Sequence, residues 1–140
     1  MTGAGLPASM LAAIVADARA ALPNEACGII VGDRAWAGGG RPLRWVPLAN
    51  VHASPFRYAI DPDALLALTI ELDDAAEAIW AIVHSHPSSP AEPSPTDIRE
   101  AFYPEALQLV VSLAGVAPEV RAWRIADGDA KEVEMAFSGD

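Results

Sequence analysis

Two histidines stand two positions apart, His84 and His86, at the end of an apolar run, and ten residues separate His86 from Asp97. In an extended strand, residues i and i+2 point to the same side. His84 and His86 can therefore aim imidazole nitrogens at one point, and a loop of that length can fold Asp97 back to it. Two neutral imidazoles and one carboxylate leave the fourth corner of a tetrahedral site open to water, which is the ligand count of a catalytic zinc rather than a structural one. Zinc lowers the pKa of such a water towards ~7. Hydrolysis at such a site also needs a base to take and relay the proton. The candidate is Glu25, in Pro23-Asn24-Glu25-Ala26-Cys27-Gly28, just ahead of a second apolar run. Spacing alone does not show that Glu25 faces the histidines.

Each of these residues has a plainer reading. Ser94, Pro95 and Asp97 fit the N-cap, N1 and N3 positions of a short helix. That reading is compatible with a ligand role, because an anion is stabilised at a helix N-terminus. Glu25 in isolation reads as an exposed charge at a helix end, and Cys27 as a small buried hydrophobe.

The elements that must position these residues follow from periodicity. Met10, Leu11, Ile14, Val15, Ala18 and Leu22 recur every three or four residues, predicting a helix over 7–22 that Pro23 stops. The glycine-bounded run 27–32 predicts a buried strand, 43–48 a second and 57–60 a short third. Asp61-Pro62 opens another helix, with Leu65, Leu68, Leu72 and Ala76 as its apolar stripe. A buried strand over 79–83 leads into a proline- and serine-rich loop over 87–95 and a short helix over 95–102. Strands at 107–113, 119–125 and 130–137 complete the chain, the last two joined by Asp127-Gly128, a hairpin signal. The order predicts an α/β fold, a mixed sheet with helices packed on it and no regular βαβ alternation.

The chain has 140 residues, one domain's worth, so 1–140 is read as a single domain. Nine Lys and Arg against nineteen Asp and Glu give a net charge of −10. That balance, without a basic stripe, argues against binding to nucleic acid or an anionic membrane surface. The apolar runs stop well short of the ~20 residues a transmembrane helix needs. No basic residue precedes the first apolar stretch, so no secretory signal is expected. With a single cysteine, Cys27, a cytoplasmic setting follows.

Taken together, Glu25, then His84-x-His86, seven residues, Ser94, two residues and Asp97 match the JAMM (MPN+) metalloprotease signature at every position. The chain resembles that family, and its short bacterial Mec-type branch most. The segments 23–28, Asn50 with 54–58, and 123–128 extend the resemblance. It implies a curved mixed β-sheet flanked by helices, the MPN fold, related to cytidine deaminases. It implies one Zn²⁺ per chain held by His84, His86 and Asp97. It assigns Glu25 as the general base and Ser94 as the hydroxyl that steadies the tetrahedral oxyanion. It further implies a peptidase or isopeptidase that cuts after the Gly-Gly tail of a ubiquitin-like or small sulfur-carrier protein, releasing cysteine from a carrier adduct in Mec-type members. Arg57 and Arg99 are candidate local contacts to such a carrier. Two other readings stay open: a non-catalytic MPN scaffold, and a zinc amidohydrolase acting on a small molecule. The resemblance leaves a homo-oligomer open.

Overall fold

The computed structural model describes residues 3–139. The elements are β1 (Gly3–Pro7), α1 (Ala8–Ala21), β2 (Cys27–Gly32), β3 (Pro42–Leu48), α2 (Pro62–Ala75), β4 (Ala78–His86), α3 (Pro95–Arg99), β5 (Leu107–Ser112), β6 (Glu119–Ala126) and β7 (Asp129–Ser138), with one 3₁₀ turn at Trp36–Gly38. They form one curled, seven-stranded sheet in the order β1-β7-β6-β5-β4-β2-β3. β4 and β5 run parallel, as do β1 and β7, while the remaining neighbours are antiparallel. The fold is the expected α/β mixed sheet without βαβ regularity.

The central strands are buried on both faces, so their sequences read as continuous apolar runs. Their alternation separates two cores. Ile30, Ala81, Val83, Leu107, Leu109 and Val111 meet Ile14, Val15 and Ala18 of α1. Ile29, Val31 and Ile82 meet Leu68 and Leu72 of α2 on the opposite face. Period-two alternation along β4 carries this pattern forward, so His84 and His86 follow Ile82 onto the α2 side. There α2 no longer covers them, and the chain between β4 and β5 folds over instead. The site thus sits at the carboxyl ends of two adjacent parallel strands, a common ligand position in open α/β sheets.

Four expectations need correction. The N-terminal segment before α1 is a strand, β1, paired in parallel with β7 from the far end of the chain. Its Gly-Ala-Gly-Leu sequence has low intrinsic strand preference, and only distant pairing rescues it. The segment 57–60 is not a strand: among the described residues its only ladder contact is the isolated bridge between Asn50 and Ile60. β4 runs through His86, three residues past the expected end. Polar side chains closed the hydrophobic pattern early, yet both histidines are buried. α3 ends at Arg99 rather than at 102. The Asp127-Gly128 turn is as expected, with φ of 55° and 75°, the left-handed pair of a tight hairpin.

Gly28 in β2 is needed for close approach. A Cβ there would collide with the Trp45 ring and lie 2.5 Å from the Val46 carbonyl. That ring in turn reaches α1, donating from Nε1 to Asp17 at 2.7 Å. Gly28→Ala is expected to destabilise by about 1–3 kcal/mol through overpacking and to lower the melting temperature by roughly 3 °C or more. An unchanged thermal transition would show that Trp45 yields without penalty.

Candidate functional site

The nitrogen atoms Nε2 of His84 and His86 lie 3.1 Å apart. Asp97 Oδ2 stands 3.0 Å from the first and 3.3 Å from the second. A tetrahedron with ligand arms of ~2.0 Å has an edge of about 3.3 Å, so these three atoms are spaced like three corners of a zinc-type site. Glu25 joins them: its carboxylate and nitrogens of both histidines lie within 4.8 Å of one another. All four side chains are largely shielded from water.

Each is held by a different device. Asp97 comes from α3, a single turn whose N-terminus is a complete capping box. The Asp97 N–H donates to Ser94 Oγ at 3.0 Å, and the Ser94 N–H donates to Asp97 Oδ2 at 2.8 Å. The capping reading therefore holds, and the cap leaves Asp97 Oδ2 beside both histidines. Because Ser94 Oγ accepts from the backbone, its own proton remains free to donate. His86 Nδ1 donates to the Pro90 carbonyl at 2.7 Å, which leaves the Nε2 lone pair facing inward. His84 has no such anchor: Nδ1 is buried without a hydrogen-bond partner among the described residues. Its ring is instead stacked on Tyr58, with centroids 4.4 Å apart and planes 17° apart.

Glu25 lies between α1 and β2, and is 4% exposed. Its Oε1 is buried and has no partner among the described residues. Burial pushes its carboxyl up to about 7, with His86 opposing the rise and Asp97 adding to it. Asp97 goes the other way. Burial would raise it, but the contacts with His84 and His86 outweigh that and hold it well below the usual carboxylate range. Burial lowers the His84 pKa and so favours the neutral imidazole. The site thus contains two carboxyl groups with opposed proton affinities, a pattern that separates a base from a charge holder.

Comparison with known proteins places the chain in a family. The profile of prokaryotic homologues of the JAB domain matches residues 7–126. The chain belongs to that JAB family. A CysO-cysteine peptidase of Mycobacterium tuberculosis is 37% identical over 126 residues, covering 89% of this chain and 84% of the relative. A probable TtuB-protein conjugate cleaving protease of Thermus thermophilus is 45% identical over 80 residues, 56% of this chain and 50% of the relative. The solution structure of a protein from Desulfitobacterium hafniense superposes with a TM-score of 0.84 at 33% identity, covering 97% of this chain and 93% of that one. A JAB1/MPN domain protein from Archaeoglobus fulgidus shares the fold, with a TM-score of 0.55 at 18% identity over 91% of this chain and 94% of that one.

Two residues brace this JAB site: Ser85, which the sequence reading did not single out, and Asn50, which it noted only within the resemblance. Ser85, between the histidines, points to the other face and accepts the Ala26 N–H at 2.7 Å, pinning the residue next to Glu25. Asn50 uses its whole amide: Nδ2 donates to the carbonyls of Glu25 and Arg57, and Oδ1 accepts from the N–H groups of His52 and Ala59, each at 3.1 Å. Asn50 is thus the clamp that closes the 50–60 loop onto Glu25 and brings Tyr58 to His84. Nothing in its local sequence signals this, because its partners are distant. Arg57 and Arg99 are both exposed on the surface, and Arg99 donates to Thr96 Oγ1. Asn50→Ala is expected to lower the unfolding free energy by about 1–3 kcal/mol, read as a shift of the urea midpoint. An unmoved midpoint would show that the loop is held by something else.

Proposed function

We propose that this protein is a zinc-dependent peptidase or isopeptidase that hydrolyses the amide bond following the Gly-Gly tail of a ubiquitin-like or sulfur-carrier protein. The observation that carries the reading is the convergence of His84, His86 and Asp97 at tetrahedral spacing beside a buried, unpartnered Glu25. The relatives support it. One is named for the CysO-cysteine on which it acts as a peptidase, another for cleaving TtuB-protein conjugates.

In this reading His84, His86 and Asp97 hold the metal, and 1–140 acts as one catalytic domain. Zinc in such a site supplies Lewis acidity and a water acidified towards neutral pH. The rest of the work falls to the chain's own side chains. Glu25 takes the proton of the attacking water, returns it to the leaving amine, and has a carboxyl pKa near 7 suited to both steps. Ser94 donates its free hydroxyl proton to the carbonyl oxygen as negative charge develops there. Glycines at the cut bond let the substrate backbone approach closely. The acidic protein then works in a cytoplasmic setting, without nucleic acid or membrane.

Purified protein is expected to contain about one zinc per chain by elemental analysis, and Asp97→Ala much less. Glu25→Gln is expected to keep the metal but lose roughly 10²–10⁴-fold in cleavage of a carrier–cysteine adduct followed by mass spectrometry. An intact adduct alongside turnover of free small amides would replace the reading with a small-molecule amidohydrolase. A chain that takes up no zinc would make it a scaffold.

Tyr58 provides a separate check on how the metal site is built. Tyr58→Ala removes the ring stacked on His84 and is expected to weaken zinc affinity by roughly tenfold or more, as loss of an orienting partner does. Tyr58→Phe keeps the stack and is expected to bind like wild type. Equal affinity in all three proteins would show that His84 needs no support.

A further inference from the structure

Four successive residues of the loop after β4 are each held by a side chain from the sheet. Ser112 Oγ of β5 donates to the Ser89 carbonyl at 2.7 Å. His86 Nδ1 of β4 donates to the Pro90 carbonyl at 2.7 Å. Trp123 Nε1 of β6 donates to the Ala91 carbonyl at 3.0 Å. Arg121 Nη1, also of β6, donates to the Glu92 carboxylate at 3.1 Å. Loops ordinarily lie on the surface, yet Ala91 is fully buried. Trp123 is itself fixed. The Arg121 guanidinium lies over its ring, 4.9 Å from the centroid. Two hydrogen bonds, at 2.9 and 2.7 Å, fork from that guanidinium to Glu132 of β7.

An indole N–H shielded from water needs an acceptor, and many carbonyls would serve. What sets this one apart is its neighbour. The Pro90 carbonyl lies in the peptide plane that runs from the Pro90 Cα to the Ala91 Cα. The proline ring fixes φ at Pro90. The direction of the carbonyl then depends on ψ alone, and ψ is set by where Ala91 sits. Holding Ala91 therefore aims the oxygen that receives the His86 N–H. That hydrogen bond fixes the tautomer and the orientation of the ring, with Nε2 turned towards His84 and Asp97. His84 Nδ1 has no such anchor among the described residues.

We propose that Trp123 is a positioning residue for the metal site, acting on His86 through the backbone of Pro90 and Ala91, with Arg121 as its support. The inference rests on the reading above that His86 holds a zinc ion. Trp123 bonds to Ala91 rather than to any of the site side chains, so its effect passes entirely through the aim of one carbonyl. In this way β6 contributes to the metal site although the residues brought together there come from β4, α3 and the segment before β2.

The test compares two tryptophans in the full chain. Trp123→Phe keeps an aromatic ring and removes the N–H donor. Trp36→Phe is the matched control: Trp36 Nε1 donates to the backbone carbonyl of Gly3 in β1 at 3.0 Å, and Arg124 lies over its ring. Both variants are expected to lower the melting temperature. Only Trp123→Phe is expected to weaken Zn²⁺ binding, by about tenfold in competition with a chelating dye. The second readout needs no metal. The chain has three histidines, so their ring ¹H–¹⁵N signals are readily assigned. In metal-free protein the His86 Nδ1–H is expected to exchange with solvent roughly tenfold faster in Trp123→Phe, and at the wild-type rate in Trp36→Phe. Should Trp123→Phe fail to fold, Arg121→Ala at the surface replaces it, with an expected change of roughly threefold in both readouts. Zinc affinity and His86 exchange that match between the β6 variant and the Trp36→Phe control would overturn the proposal. A chain that binds no zinc in any form would sink the peptidase reading, and the exchange rates would still decide this one.

Discussion

Two imidazole nitrogens and a carboxylate oxygen within 3.3 Å of one another, shielded from water, repel each other unless a proton or a cation lies among them. The rest of the molecule serves to hold that arrangement. The parallel pair β4 and β5 supplies a rigid floor, with both histidines on the face that α2 leaves uncovered. α3 is too short to be stable alone, and a reciprocal cap fixes it so that its one carboxylate faces the histidines. Burial that would be adverse for any one of these groups is offset within the set, because Asp97 Oδ2 and the Nε2 atoms of both histidines face one another.

The same low-polarity surroundings act in opposite directions on the two carboxyl groups. Asp97 accepts from a backbone N–H and lies against two imidazoles, so it stays ionised. Glu25 has an unpartnered oxygen and lies deep beside β2, so its proton affinity rises. Location alone gives two chemically similar side chains opposite proton affinities. Ser94 completes the economy of the design: one oxygen caps a helix through a lone pair and keeps its proton for other use.

The helices and the β2, β5, β6 and β7 strands were legible in the sequence because their signals are local: periodicity, an Asp-Pro helix start and an Asp-Gly turn. The grouping of His84, His86 and Asp97 was legible for a similar reason, since all three fall in one stretch of chain. The position of Glu25 opposite them was not, because it depends on antiparallel pairing of Cys27 with His84 across a long separation. β1 was hidden for the same cause, its partner lying at the other end of the chain. The 57–60 segment misled in the opposite sense: its residues look strand-like, but Asn50 holds it as a clamped loop.

The loop over 87–93 is suspended by three successive carbonyls. Ser89 accepts from Ser112, Pro90 from His86 and Ala91 from Trp123. Two of those donors belong to β5 and β6, near the end of the chain. This sets an order in time as well as in space. While the protein is being synthesised from its N-terminus, Glu25 and both histidines emerge long before the strands that hang the loop above them. A ribosome-bound chain short of Trp123 has the chemical groups of a peptidase without the frame that aims them. The frame around the histidines is therefore complete only once β6 has joined the sheet.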